Sequence, residues 1–199
     1  GPDTLIRAGA DQGLFVSDDG GANWTRSDGG RGRTLPEIWE IAPDAEGVWL
    51  GSFVDGVLRD DGSGIWETRN RGLRAAWIKS LATRDGVVLA GTAHGRLFRS
   101  DDGARSWIDV TGDLQDVQLV AVWMGTGAWV VGGSTGVFRS IDQGATWHRS
   151  RLPGGVRRAN AFASLADGRL LAVTNAGLIA SDDEAGNWVA IDALPRDRA

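Results

Sequence analysis

Short apolar runs, several of them alternating with polar positions, recur along the whole chain, and glycine-bearing turns separate them. The stretch from residue 78 to residue 110 shows the pattern most fully. Ile78–Ala82, Val87–Thr92, Arg96–Ser100 and Trp107–Val110 read as four strands, and Asp85-Gly86, His94-Gly95 and Asp102-Gly103 supply the turns between them. Four short strands in about forty residues make one repeat unit of an all-β fold.

That unit occurs five times. Tryptophans 24, 66, 107, 147 and 188 each close an octad, and the steps between them are 42, 41, 40 and 41 residues. The octads span residues 17–24, 59–66, 100–107, 140–147 and 181–188. Each carries an aspartate at its third position: Asp19, Asp61, Asp102, Asp142 and Asp183. Such a side chain accepts hydrogen bonds from the backbone of its own turn, and serine or threonine adds a weaker version. Glycine supplies the positive φ of a compact hairpin loop. The tryptophan then anchors the next strand, burying about 150–250 Å², or roughly 4–6 kcal/mol gross at about 25 cal/mol/Å². These aspartates and tryptophans read as structural rather than catalytic.

The octads resemble the Asp-box, S-x-D-x-G-x-T-W, of the BNR-repeat proteins. Ser140–Trp147 matches at every defined position, and Ser17–Trp24 departs only at Asn23. Ala104 and Ala185 replace the motif glycine in the third and fifth copies, and the second keeps little beyond Asp61 and Trp66. The resemblance implies an all-β fold, a β-propeller of five four-stranded blades, in one domain spanning residues 1–199.

One strand is missing from that plan. Thr4–Ala8 aligns with the second strand of the other units, so blade 1 lacks its inner strand. Inner strands begin 12 to 14 residues after a box tryptophan, at Ile38, Ile78, Leu119 and Ala161, and the count from Trp188 reaches residue 200. Three explanations fit: part of a larger propeller, a ring with one three-stranded blade, or strand donation by another chain or by a missing segment.

Composition narrows the functional classes. A net charge of −5 gives no basic footprint for nucleic acid, and no apolar stretch is long enough to span a membrane. With no cysteine and only His94 and His148, neither a thiolate nor a histidine-rich metal site is expected, and no cofactor motif is present. Gly1-Pro2 reads as a scar of tag removal. Composition leaves the compartment open, and the resemblance favours an extracytoplasmic one.

Charge is distributed unevenly over the two faces that such a fold would have. The face bearing the boxes collects fourteen carboxylates against Arg84 and Arg105. The loops between blades collect Arg31, Arg33, Arg69, Arg71, Arg74, Arg151, Arg157 and Arg158. Guanidinium groups grip planar anions, so these eight are the candidate contacts for an acidic protein, a peptide or another anionic ligand. Trp39, Trp77, Trp123 and Phe162 fall in or just before inner strands, where they either pack between blades or stack on sugar rings.

The resemblance also includes sialidases, which attack with a tyrosine. This chain has none. Xyloglucanase-type relatives use two carboxylates, for which Asp11, Asp55, Glu37, Glu40, Asp113 and Asp116 are the candidates here. The non-catalytic photosystem II assembly-factor type holds protein partners on an arginine-bearing face. The leading expectation is a non-catalytic binding or assembly scaffold, and the alternative is a glycan-binding or glycoside-hydrolase-like propeller.

Overall fold

The computed structural model describes residues 5–30, 32, 34–74, 77–114 and 117–191. Blade 1 is formed by β1 (Ile6–Ala10), β2 (Gly13–Ser17) and β3 (Thr25–Arg26). Blade 2 comprises β4 (Ile38–Asp44), β5 (Gly47–Ser52), β6 (Val57–Asp60) and β7 (Glu67–Thr68). Blade 3 comprises β8 (Ile78–Arg84), β9 (Val87–Thr92), β10 (Leu97–Ser100) and β11 (Ile108–Asp109). Blade 4 holds β12 (Leu119–Met124), β13 (Trp129–Gly133), β14 (Gly136–Ser140) and β15 (His148–Arg149). Blade 5 holds β16 (Ala159–Ser164), β17 (Leu170–Thr174), β18 (Gly177–Ser181) and β19 (Val189–Ala190).

Each blade is an antiparallel meander, four-stranded in blades 2 to 5 and three-stranded in blade 1. Among the described residues blade 1 shows no inner strand, and its first strand runs from Ile6; residue 4 lies outside the described residues. Outer strands shorten to two paired residues, and the box tryptophan sits just before each. Every inner strand carries a register shift at the same place, between Ile38 and Glu40, Ile78 and Ser80, Leu119 and Ala121, and Ala159 and Ala161. A bulge of this kind turns one side chain out of the alternation. Three inner strands begin at the expected residue, and β16 begins at Ala159, two residues before the expected Ala161.

Blades pack face to face in chain order, β1 on β4, β4 on β8, β8 on β12 and β12 on β16. A separate apolar cluster fills each junction. Between blades 2 and 3, for instance, Trp49 and Val57 meet Ile78, Val88, Phe98 and Trp107. Glycine recurs where the second strand of one blade meets the inner strand of the next. A Cβ on Gly51 would stand 2.9 Å from Ile78 Cγ2, one on Gly9 2.8 Å from the Ile38 carbonyl, and one on Gly132 2.9 Å from the Ala159 carbonyl.

The box hairpins follow one hydrogen-bond scheme. In the third, Ser100 Oγ donates to Asp102 Oδ1 (2.8 Å) and accepts from the Ala104 N–H (2.9 Å). Asp102 also accepts from the Ser106 N–H (2.8 Å) and hydroxyl (2.6 Å). The fourth box repeats the scheme with Ser140, Asp142, Gly144 and Thr146. Ala104 (φ 59°) and Ala185 (φ 67°) occupy the left-handed conformation usually left to glycine. In the second box Asp60 stands in the place of the serine and accepts from the Gly62 and Gly64 N–H groups, while Asp61 accepts from Ser63.

Candidate binding face

Loops joining second to third strands and loops joining successive blades meet on one face, because each strand reverses the chain. They are pinned to one another by a repeated backbone bond: Phe53 N–H to the Glu37 carbonyl (3.0 Å), Ala93 to Trp77 (3.1 Å), Ser134 to Gln118 (3.1 Å) and Asn175 to Arg158 (3.2 Å). Glu37, Trp77, Gln118 and Arg158 are thus equivalent positions, one per blade. The face changes character around this series, from aromatic at blades 2 and 3 to cationic at blade 5.

At the aromatic end, Trp39, Phe53, Trp77 and His94 form a continuous ladder with ring centroids 5.1, 4.7 and 4.5 Å apart. Lys79 Nζ lies 4.3 Å from the Trp39 ring centroid, and the Trp39 indole N–H donates to Glu37. Trp77 remains 38% exposed. The sequence marks His94 only as a turn residue and does not single out Phe53, although an aromatic in a second-to-third-strand turn, where polar residues are usual, is a signal in itself. Trp123 and Phe162 do something else. Both pack into the junction of blades 4 and 5, and Trp123 Nε1 donates to Ser164 Oγ at 3.0 Å.

Of the eight loop arginines, Arg31 and Arg33 lie outside the described residues. Arg69 pairs with Glu67 at 2.8 Å and borders a cavity of about 860 Å³ on the Asp-box side between blades 2 and 3. Arg74 borders a smaller groove with Arg96 and Trp107. Arg151 joins Arg139, His148 and Arg149 in a rim groove between blades 4 and 5. Arg157 and Arg158 are exposed, and their N–H groups both donate to Asn175 Oδ1 at 2.9 Å. The six described arginines do not converge on one pocket; they divide between the blade 2–3 and blade 4–5 connections.

Pairing separates five of these arginines from the others. On strands and hairpins, Arg59 pairs with Asp44 and Glu46, Arg96 with Asp109, Arg99 with Asp101 and Arg169 with Asp167. Arg99 also donates to the Gln143 carbonyl of the next blade (2.9 Å), and Arg139 to that of Asp183 (3.2 Å), which latches successive boxes together. The side chains of Arg71, Arg74, Arg151, Arg157 and Arg158 have no ion pair or hydrogen bond among the described residues.

The candidate carboxylates are scattered. Asp11 and Asp55 sit in second-to-third-strand loops, Asp113 in a 3-10 turn at Gly112–Leu114, and Asp116 outside the described residues. Glu40 is the exceptional one. Burial pushes its carboxyl up to about 7. No group of three or more His, Cys, Asp or Glu side chains able to hold a metal occurs among the described residues.

No family model matches the chain, and no curated protein does. Solved structures do. The extracellular domain of the BT4673 two component system of B. thetaiotaomicron superposes with a TM-score of 0.75 at 18% identity, over 98% of this chain and 27% of that one. The GH74 xyloglucanase of Xanthomonas campestris superposes with 0.69 at 20% identity, over 96% of this chain and 36% of that one. YCF48 bound to D1 peptide gives 0.66 at 17% identity, over 94% of this chain and 64% of that one. The fold is an Asp-box β-propeller.

This propeller chain spans about a quarter of the BT4673 domain and about a third of the xyloglucanase. The likeness is one of fold alone, shared with a peptide-bound protein, a xyloglucanase and the extracellular domain of a two component system. Among the described residues, no helix is long and apolar enough to cross a membrane.

Proposed function

We propose that the propeller is a non-catalytic binding scaffold whose between-blade face holds an acidic protein segment. The observation that carries this reading is the pairing pattern: Arg71, Arg74, Arg157 and Arg158 are exposed and have no partner among the described residues, while the strand and hairpin arginines are tied down. A guanidinium without a local carboxylate keeps its whole fork available for an incoming one. Arg151 extends the same surface along the rim, Arg31 and Arg33 belong to its sequence-level footprint, and Arg69 is committed to Glu67. The solved peptide complex of YCF48 supports a propeller of this kind as a peptide holder.

Titration of a peptide rich in Asp and Glu, followed by calorimetry, tests the reading. Reversal of Arg71, Arg74, Arg157 and Arg158 to Glu abolishes binding, and added salt weakens it in the unaltered protein. Equal affinity in the reversed variant overturns the assignment.

A second reading, a glycan ligand, is favoured by the Trp39–Phe53–Trp77–His94 ladder, whose exposed edge suits stacking on sugar rings. A glycan array and a hydrolysis screen separate the two. Turnover that disappears in Asp55→Asn or Asp113→Asn would make the chain an enzyme and displace the scaffold reading.

A further inference from the structure

Arg59, Arg99 and Arg139 hold the same place on the third strands of blades 2, 3 and 4, opposite Trp49, Leu89 and Val130. Arg59 meets Glu46 at 3.3 Å, and Arg99 meets Asp101 at 2.7 Å. Among the described residues Arg139 has only the Asp183 carbonyl, at 3.2 Å, and no carboxylate. The sequence explains the difference. Just before the motif aspartate, the other boxes carry a second one, Asp18, Asp60, Asp101 and Asp182, whereas the fourth carries Ile141, which is 61% exposed. The acid that Arg99 finds in its own hairpin is therefore withheld from Arg139.

Two further donors stand beside it. His148 is the register partner of Arg139 on β15, so the two side chains share the face of the sheet turned to blade 5. Blade 2 has Glu67 at that place and blade 3 has Ile108. Arg151 follows in the connector, bridged to Asn187 of blade 5, and its side chain has no partner among the described residues. With Ile141, these groups line a groove of about 510 Å³ whose described lining contains no carboxylate. The rim grooves of blades 2 and 3 mix both signs instead, Asp61 and Glu67 with Arg59 and Arg69 in one, Asp109 with Arg74 and Arg96 in the other. Asp183 keeps its carboxylate inside its own hairpin, where it accepts from the Asn187 N–H at 2.9 Å and side-chain amide at 2.5 Å. Arg149 is spent on the Thr135 carbonyl and the Phe138 ring.

From this geometry we propose that the groove binds the oxyanion of a phosphate or sulfate ester, held by Arg139, His148 and Arg151. The donors come from β14, β15 and the connector to blade 5, three directions that suit a tetrahedral group with three free oxygens better than a planar carboxylate. Arg139 is half-buried, so its attraction for an anion is screened less than that of a fully exposed side chain. The groove is large enough to take the organic part of a small ester as well. The site stands apart from the surface proposed above for an acidic segment and shares only Arg151 with it.

Calorimetric titration with phenyl phosphate and with phenyl sulfate, sodium chloride holding the ionic strength constant, tests this. One site per chain is expected, and the ester bound more tightly identifies the source of the oxyanion. Ile141→Asp supplies the acid that every sister box carries, gives Arg139 the partner that Arg99 has in Asp101, and weakens binding by roughly tenfold or more. Ile141→Asn, which lacks the charge, keeps it. Arg151→Gln and His148→Ile, the latter with the residue of blade 3, each weaken it several-fold. Circular dichroism checks that the variants fold. Replacing Arg71, Arg74, Arg157 and Arg158 by Gln removes the anchors of the acidic segment and leaves ester binding in place, so the two readings fail separately. No saturable heat with either ester, or equal affinity in Ile141→Asp and wild type, overturns the proposal. So does ester binding that disappears with the four-arginine replacement, for the site would then lie on the between-blade face.

Discussion

Trp107 donates from Nε1 to the main-chain carbonyl of Arg69, one blade upstream, at 2.7 Å. Trp147 does the same to Val110 at 3.0 Å. Trp107 and Trp147 are therefore rivets between blades as well as anchors within one, the indole face buried in the junction and its one polar atom satisfied by the connector that crosses there. Trp24 instead donates to Gly21 in its own loop.

Truncation should expose that difference. Trp107→Ala removes a buried indole and leaves a cavity, costing about 3–5 kcal/mol and lowering the melting temperature by roughly 10 °C. Trp24→Ala costs about 1–2 kcal/mol, in keeping with its exposure. Thermal melts of the two variants side by side provide the check; equal losses would mean that the rivets do not hold the blades together.

Gly51→Ala tests the close approach of blades. The added methyl meets Ile78 Cγ2 at 2.9 Å and the Ile78 carbonyl at 3.1 Å, so β8 must shift outward. Overpacking of this kind costs about 1–3 kcal/mol. A urea midpoint unchanged from wild type would show that the junction is slack.

Acid should loosen the box hairpins. Hydrogen bonds hold three box carboxyls at about 2: from the Asn23 N–H on Asp19, the Ser106 hydroxyl on Asp102 and the Thr146 hydroxyl on Asp142. Folded values below the unfolded value of 3.8 mean that this stabilisation is complete above about pH 4 and is lost as pH falls toward 2. An Asp102→Asn and Asp142→Asn double variant has a flatter stability profile across that window. A profile as steep as wild type would refute the assignment.

Glu40 works in the opposite sense. Its folded value of about 7 lies above its unfolded value of 4.5, so the folded chain holds the proton more tightly. Its stabilising effect is complete below about pH 4.5 and is lost as pH rises through about 7. Glu40→Gln removes this dependence and stabilises the protein at pH 8 by on the order of 1–2 kcal/mol, a figure trimmed for partial exposure. Denaturation at pH 5 and pH 8 measures it; a variant with the wild-type pH slope would clear Glu40 of the role.

The repeat, the five blades and the turn chemistry were all determined by the sequence, because each rests on local chemistry: serine and aspartate closing a hairpin, glycine turning it, tryptophan following it. The arginine-bearing loops were legible for the same reason, as a property of segments. Only the tertiary structure decided which arginines are occupied, since Arg59 finds Glu46 thirteen residues away across a hairpin and Arg99 finds Gln143 in another blade. It also assembled Trp39, Phe53, Trp77 and His94 from two blades into one ladder, and moved Trp123 and Phe162 into a junction. Periodicity records where a residue sits within its own blade. Which neighbour it meets depends on how closely one sheet lies against the next, and that spacing is set by packing between segments some forty residues apart.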